Sequence, residues 1–272
     1  MNLVMRELPK DFERLMEEHY GRHDAESLCH ALLCSAPEVS VRFNIRKMMC
    51  TEILAESLRK FSLSSAEPVC WCPEAYYLTE RPPFTFDPLF HAGAYYVQEA
   101  SSMYVARLFE KFGPGHPCCV LDLCAAPGGK STLLADILPE GSLLMSNEPM
   151  PKRVCILSEN MQKWTRMPYG SYPVSNIVTN NYPSDFSAFT HCFDVVLTDV
   201  PCSGEGMFRK DDKAVAEWSM DNVMMCAGRQ RVILGDIWHT LRPGGLLIYS
   251  TCTFNRFEDE SKARWIRREL GG

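Results

Sequence analysis

A chain of 272 residues, 46% hydrophobic and 23% charged, has the make-up of an ordinary globular protein, long enough for one large domain or two modest ones, which excludes collagen, coiled coil and disorder. No apolar run reaches the roughly 20 residues of a membrane-spanning helix, and MNLVMRELPKDFERLMEEHY lacks a signal-peptide core, so a cytoplasmic protein with no membrane partner is expected. The net charge of −6 argues against a generic basic coat for nucleic acid.

That charge is uneven. Lys and Arg number 9, 8 and 11 against 10, 14 and 10 Asp and Glu over residues 1–60, 61–199 and 200–272. The acidic excess lies in the middle, and nucleic acid remains open if basic residues line one groove. Thirteen cysteines without an export signal are expected to stay reduced, most of them as small buried hydrophobes. Cys70/Cys72 and Cys118/Cys119 lack the partner pair of a zinc site, so no metal is expected.

From Asp11 to Leu33, the spacing of Phe12, Leu15, Met16, Tyr20, Leu28, Ala31 and Leu32 predicts two short helices around Gly21. PEVSVRFNIRK reads as a strand, with Val39, Val41, Phe43 and Ile45 on one face and Arg42 and Asn44 on the other. A helix over Thr51 to Lys60 follows. ERPPFTFDPLF, with prolines at 82, 83 and 88, breaks helices and strand ladders and marks a boundary. Residues 1–90 are thus expected to form a small α+β N-terminal module, and residues 91–272 a second domain. In the latter, CCVLDLCA, SLLMSNE, PVSNIVTN, FDVVLTDV and GGLLIYSTC are five apolar runs, mostly separated by helical periodicity, which predicts an α/β fold with a mostly parallel, doubly wound sheet.

In such a sheet the ligand sits beyond the carboxyl ends of the strands. The first strand runs into DLCAAPGGKST, a Gly-rich turn whose backbone N–H groups can approach a ligand closely. A phosphate-cradling P-loop would need Gly five places before Gly129, where Cys124 stands. GPGHPC has two glycines in dinucleotide-binding spacing but precedes the strand. Glu148, about 20 residues past the turn, can hold a ribose hydroxyl pair, so an adenosine-containing ligand fits. The fourth strand ends in Asp199, followed by Pro201-Cys202-Ser203-Gly204, and the fifth leads into Ser250-Thr251-Cys252. Neighbouring strands lie about 4.8 Å apart, which would bring both cysteines out side by side. Asn255 followed by Glu258 is a capping-box pattern, predicting a helix just beyond Cys252 whose positive end favours a thiolate.

DLCAAPGGK, LTDVPCSGEGMF and YSTCTFN, in this order, resemble the S-adenosylmethionine-dependent RNA cytosine-C5 methyltransferases, the family of bacterial ribosomal small-subunit methyltransferase F and of the NOL1/NOP2/Sun proteins. HAGAYYVQEASSM and WSMDNVMMCAGRQRVIL are similar too, so the likeness runs from about Val39 to the C-terminus. The resemblance implies a Rossmann-like methyltransferase fold behind an N-terminal RNA-binding module, S-adenosylmethionine as cofactor, and RNA as partner, ribosomal RNA ahead of transfer RNA. It makes Cys124, Ala125, Ala126, Pro127, Gly128, Gly129 and Lys130 the cofactor loop and Glu148 the ribose partner. Asp199 would face cofactor and base, Cys252 would be the nucleophile, and Cys202 would help release the product. Where the family has an acid near adenine, this chain has VTNNYPSDF, with Tyr182 at that place and Asn180 or Asn181 as substitutes. Arg42, Arg46, Lys47, Arg209 and Lys210 are expected to meet phosphates, and Lys130 to bridge the cofactor loop to Asp199. The family's sheet adds two strands after the fifth, so the chain is expected to lack them. A non-catalytic or inactive truncated RNA-binding protein of the same fold, and a methyltransferase acting on transfer RNA or DNA, stand as alternatives.

Overall fold

The computed structural model describes residues 7–48, 61, 66–167 and 170–272; the helix expected over Thr51 to Lys60 lies outside them. Two helices come first, α1 (Lys10–Tyr20) and α2 (Arg22–Cys34). Gly21 turns between them at φ +82°, a conformation that costs glycine nothing. Then come β1 (Val39–Phe43), the short α3 (Ile45–Met48), β2 (Ala75–Leu78), α4 (Pro88–His91), β3 (Tyr95–Val97) and α5 (Val105–Phe112). Strands and helices alternate from there: β4 (Cys119–Asp122), α6 (Gly129–Ile137), β5 (Leu143–Asn147), α7 (Pro151–Thr165), β6 (Ser175–Thr179) and β7 (Phe193–Asp199). The remaining elements are α8 (Asp212–Glu217), α9 (Met220–Trp238), β8 (Leu241–Ser250) and α10 (Glu260–Trp265).

Contacts divide the chain into two compact units, one of residues 38–199 with 239–248, the other of residues up to 37 with 200–238 and 249–272. The first unit holds two sheets. In the smaller, β1 pairs antiparallel with β2 and with β3, which gives the order β2-β1-β3. Val41, Phe43, Phe84 and Tyr95 form its core. The larger sheet has the order β6-β5-β4-β7-β8, with β4 parallel to β5 and β7, and β5 parallel to β6. Phe193 N donates to Thr240 O (3.0 Å) and the Thr198 hydroxyl to Ile248 O (3.4 Å), so β8 runs in the same sense as β7. The run FDVVLTD is almost wholly buried, as a strand covered on both faces requires. Val120, Leu144, Val195 and Leu197 join Leu133 and Leu134 of α6 in the core, each buried side chain of this kind contributing ~1.5–3 kcal/mol. Strand order reverses between β4 and β7, which places the ligand end of this Rossmann-like sheet beyond Asp122 and Asp199.

In the second unit α1 turns Phe12, Leu15 and Met16 inward onto Phe208 and Trp218. The Phe12 ring meets those of Phe208 and Trp218 edge-on at 5.1 and 5.5 Å. Tyr20 Oη donates to Phe254 O (2.5 Å) and Arg256 N to His19 Nδ1 (3.2 Å), so the N-terminal helix braces the segment just past Cys252.

Two of the residues expected to meet phosphates are internal. Strand alternation does put Arg42 opposite Val41 and Phe43, but helices cover that face too, and Arg42 is only 1% exposed. Its guanidinium pairs with Asp136, donates to Gln98 Oε1 (2.9 Å) and Thr132 Oγ1 (2.7 Å), and lies 4.4 Å from the Trp164 ring centre. Lys47 is buried and donates to the carbonyls of Ala92 (2.6 Å) and Lys163. Burial pulls its amine down to about 8. Arg46 lies half-buried over Tyr172 (5.3 Å), Arg209 is half-buried and Lys210 exposed.

Candidate active site

β4 ends in Asp122, which is fully buried. Its Oδ2 accepts from Ser131 Oγ (2.7 Å), while burial, ahead of the neighbouring Asp199, lifts the carboxyl to about 7. The loop from Leu123 to Gly128 follows and feeds α6. Ala125 N donates to Asn147 O (2.8 Å), which fastens the loop to the end of β5. From α7, Arg153 Nη2 reaches Ala126 O (2.6 Å) and Asn160 Nδ2 reaches Pro127 O (2.8 Å). Gly128 takes φ +114°, and a Cβ there would come within 3.3 Å of Leu157 Cδ1. The positive φ therefore calls for glycine, and a Cβ would also press on the Leu157 side chain.

Glu148 is 1% exposed rather than a solvated charge at a helix start. Its Oε1 accepts from Met150 N (3.0 Å) and its Oε2 lies 3.4 Å from Arg153 Nη1. Lys130 Nζ binds Asp199 Oδ2 at 2.8 Å, the bridge the sequence suggests. Burial comes first, and the Asp122, Glu148 and Asp199 carboxylates second, in driving the Cys124 thiol up to about 12, so Cys124 holds its proton. A cavity of about 170 Å³ opens among Tyr96, Gln98, Asp122, Cys124, Lys130 and Asp199. A larger one, about 740 Å³, opens at the far end of α6 by Asp136 and Pro139; none of the expected catalytic or cofactor residues lines it.

Among the described residues, Asp122 Oδ1, Ser146 Oγ and Glu148 Oε2 are buried with no hydrogen-bond partner. Asp122 and Ser146 are register partners at the ends of β4 and β5. Buried acceptors left open in this way cost stability unless a ligand's donors satisfy them. Of these three residues Asp122 lines the 170 Å³ cavity, together with Asp199, and a ligand bearing a hydroxyl group or positive charge fits its open oxygen. Asn180 Nδ2 donates to the carbonyls of Glu148 (2.7 Å) and Pro149 (3.1 Å), so its amide is committed to main chain; Asn180, Asn181 and Tyr182 are all exposed.

The second unit holds the cysteines. Cys202 Sγ and Cys252 Sγ lie 3.2 Å apart. The contact with Cys252, then burial, drives the Cys202 thiol far up, and either sulfur can donate to the other. No disulfide joins any of the twelve described cysteines. Gly206 N donates to Cys252 O (2.6 Å), and a Cβ on Gly206 would sit 2.6 Å from that oxygen. Thr251 and Thr253, on either side of Cys252, share Asp259 (2.5 and 3.3 Å), whose carboxyl burial raises to about 6.

The helix expected just beyond Cys252 starts only at Glu260. Half of the predicted capping box forms, since Glu258 N donates to Asn255 Oδ1 (3.0 Å). The Glu258 carboxylate turns elsewhere, accepting from Ser203 N (3.1 Å), Ser203 Oγ (2.5 Å), Gln230 Nε2 (2.7 Å) and Asn255 Nδ2 (2.9 Å). Glu205, equally buried, accepts from Phe254 N (2.6 Å), Asn255 Nδ2 (2.8 Å) and Trp218 Nε1 (3.1 Å). Two buried carboxylates therefore pin the Cys202 loop to the Cys252 loop. Sequence reasoning missed Asp122, Ser146, Glu205, Gly206 and Gln230. An acid closing the first strand and an acid inside a Pro-Cys-Ser-Gly-Glu-Gly turn were the signals available.

The sequence profile of the 16S rRNA methyltransferase RsmB/F family matches residues 113–269, and that of the N-terminal domain of 16S rRNA methyltransferase RsmF matches residues 8–100. The chain is 35% identical over 235 residues to ribosomal RNA small subunit methyltransferase F of Citrobacter koseri, covering 84% of this chain and 47% of that one. The protein of the same name from Enterobacter sp. (strain 638) is 35% identical over 239 residues, covering 85% and 47%. The chain thus spans about half the length of the curated relatives it matches. Among solved structures, a methyltransferase homolog protein from Pyrococcus horikoshii matches with TM-score 0.76 and 26% identity over 99% of this chain and 83% of that one. NSun6 from Pyrococcus horikoshii, solved with SFG, shares the fold at TM-score 0.78 and 18% identity over 98% and 88%. The chain belongs to the 16S rRNA methyltransferase RsmB/F family.

Proposed function

We propose that this chain transfers a methyl group from S-adenosylmethionine to C5 of a cytosine in RNA, with small-subunit ribosomal RNA as the substrate. The observation that carries the chemistry is the 3.2 Å contact between Cys202 and Cys252. Cytosine C5 is a poor nucleophile, and a thiolate adding at C6 turns it into an enamine-like carbon. Cys252 makes that bond, with the Cys202 sulfur in contact with the attacking one. Asp199, steadied by Lys130, accepts from the exocyclic amine and holds a proton on N3, which offsets the negative charge that builds on the ring. S-adenosylmethionine, when bound, supplies the methyl group. Loss of the C5 proton to a base then lets the C6–S bond break, and Cys202 assists that release. Cys124 to Lys130, Asp122 and Glu148 are the cofactor's holders, which the open Asp122 oxygen in the cavity beside that loop supports. Arg209 and Lys210, following the Cys202 loop, are the phosphate contacts we propose.

The test is incubation of the chain with methyl-labelled cofactor and small-subunit RNA, followed by nucleoside analysis for 5-methylcytidine. Cys252→Ala should abolish transfer, and Cys202→Ala should trap a covalent protein–RNA adduct that survives denaturing gels. An adduct trapped by Cys252→Ala instead would reverse the two roles, and label on another atom would refute the C5 chemistry.

A further inference from the structure

The segment from Arg42 to Lys47 reaches both helices that hold the Gly-rich loop. On one side, Arg42 Nη2 donates to Thr132 Oγ1 (2.7 Å), and that hydroxyl donates in turn to Gly129 O (3.0 Å). Thr132 N meets Gly128 O at 2.8 Å. Arg42 therefore acts on the first turn of α6, immediately after the loop. Its Nε holds Gln98 (2.9 Å), which lines the same cavity as the loop. On the other side, Asn44 Nδ2 donates to Trp164 O (2.9 Å) and Lys47 Nζ to Lys163 O. These two capture carbonyls in the last turn of α7 that have no partner within the helix, where a cation is favoured. The same helix carries Arg153 and Asn160, which grip the loop carbonyls of Ala126 and Pro127. Asp136 joins the two sides: it pairs with Arg42 and accepts from Trp164 Nε1 (2.9 Å) and Tyr172 Oη (2.5 Å).

We propose that Arg42 is a positioning residue for the cofactor, setting the α6 first turn and with it the Gly-rich loop, rather than an RNA contact. This rests on the reading of that loop as the S-adenosylmethionine site. Loops held by hydrogen bonds at both flanks present their N–H groups without further ordering, and removing one flank lowers ligand affinity through that lost preorganisation. Thr132 is the link that can be cut without unpairing a buried charge.

The experiment titrates S-adenosylhomocysteine into the whole chain by calorimetry, for the wild type and for Thr132→Val, Thr132→Ser and Arg42→Lys. Thr132→Val, which keeps the shape and loses the hydroxyl, should bind about tenfold more weakly, and Thr132→Ser should restore affinity to within about threefold. Arg42→Lys keeps the charge against Asp136 but loses the fork, and should also weaken binding about tenfold. In turnover, both weakened variants should raise the KM for the cofactor while kcat at saturating cofactor stays within about threefold, with the salt slope of RNA binding unchanged. Wild-type affinity in Thr132→Val would overturn the proposal whether or not Arg42→Lys folds. So would an Arg42→Lys chain that loses RNA affinity and salt slope but keeps the ligand. A wild-type chain that takes up no S-adenosylhomocysteine would sink the cofactor reading itself, and the positioning role with it.

Discussion

Gly206→Ala tests whether the backbone of one loop fixes the cysteine pair. A Cβ at position 206 would stand 2.6 Å from Cys252 O, 3.1 Å from Cys252 Cβ and 3.4 Å from its carbonyl carbon. Ordinary contact starts near 3.4 Å, so the oxygen sits about 0.8 Å too close to the added methyl. The obstacle is main chain, and Cys252 is flanked by Thr251 and Thr253, both tied to Asp259. The strain cannot be taken up by a side-chain rotation. Overpacking of this kind costs ~1–3 kcal/mol, and separating Gly206 N from Cys252 O forfeits about another 1 kcal/mol of hydrogen bond. A reacting atom displaced by approaching 1 Å loses up to about 100-fold in rate. We expect kcat for methyl transfer to fall 10- to 100-fold and the yield of covalent adduct on 5-fluorocytidine RNA to fall with it. S-adenosylhomocysteine affinity should stay at the wild-type value, because the Gly-rich loop is held by other residues. Gly228→Ala is the comparison: this helical glycine has nothing within 4 Å of its would-be Cβ and should gain ~0.5–1 kcal/mol with activity intact. Wild-type kcat in Gly206→Ala would refute the claim that this contact seats Cys252.

Glu258→Gln sets an amide among four donors, turning at least one hydrogen bond into a donor–donor clash. It should cost ~2–4 kcal/mol in urea unfolding, and Glu258→Asp, which keeps the charge, should cost less; a neutral Glu258→Gln would show that the carboxylate braces nothing. Asp122 titrates near 7 in the folded chain and near 4 when unfolded, so the folded form keeps a proton that the unfolded carboxyl releases. Its contribution to stability is therefore full below about pH 4 and is lost as the pH rises to 7. The difference in melting temperature between wild type and Asp122→Asn, measured without ligand from pH 4 to 8, should shift in favour of the variant over that interval; a flat difference would mean that Asp122 does not titrate there. A ligand that donates to Asp122 Oδ1 prefers the carboxylate, so S-adenosylhomocysteine affinity in the wild type should rise between pH 6 and 8, and this rise should vanish in Asp122→Asn.

Elements with a strong periodic signal were legible from sequence because the forces that form them are local. The five apolar runs became the five parallel strands in the order that puts β4 and β7 at the reversal, and the Gly-rich turn sits where the first of them ends. The two cysteines follow neighbouring strands, and strand spacing alone brings their exits together. Arg42 and Lys47 were misread for a reason equally physical. Alternation along β1 says which face a side chain takes, and nothing in a strand's own sequence says whether a second layer covers that face. Once α6 and α7 do cover it, a guanidinium can stay inside only by pairing with a carboxylate and filling its remaining donors, and Asp136, Gln98 and Thr132 come from distant parts of the chain. Asn255 and Glu258 show the same limit. Their spacing fits a helix cap, but Ser203 and Gln230 offer the Glu258 carboxylate more donors than a helix start would.

The charge count is where sequence and structure meet most closely. An acidic excess confined to residues 61–199 is a statement about composition, with many surface arrangements open to it. In the fold, Asp122, Glu148 and Asp199 come from three different strand ends and act together on Cys124, with Lys130 and Arg153 as the cations paired to two of them. Burying like charges is unfavourable unless something positive or hydrogen-bond-donating is gained there. Lys130 and Arg153 pair with Asp199 and Glu148, and among the described residues one Asp122 oxygen has no hydrogen-bond partner. A ligand carrying hydroxyl donors and a fixed positive charge removes that deficit in a way a phosphate could not. The failed P-loop spacing and the acidic middle of the chain thus point to the same class of ligand for independent reasons.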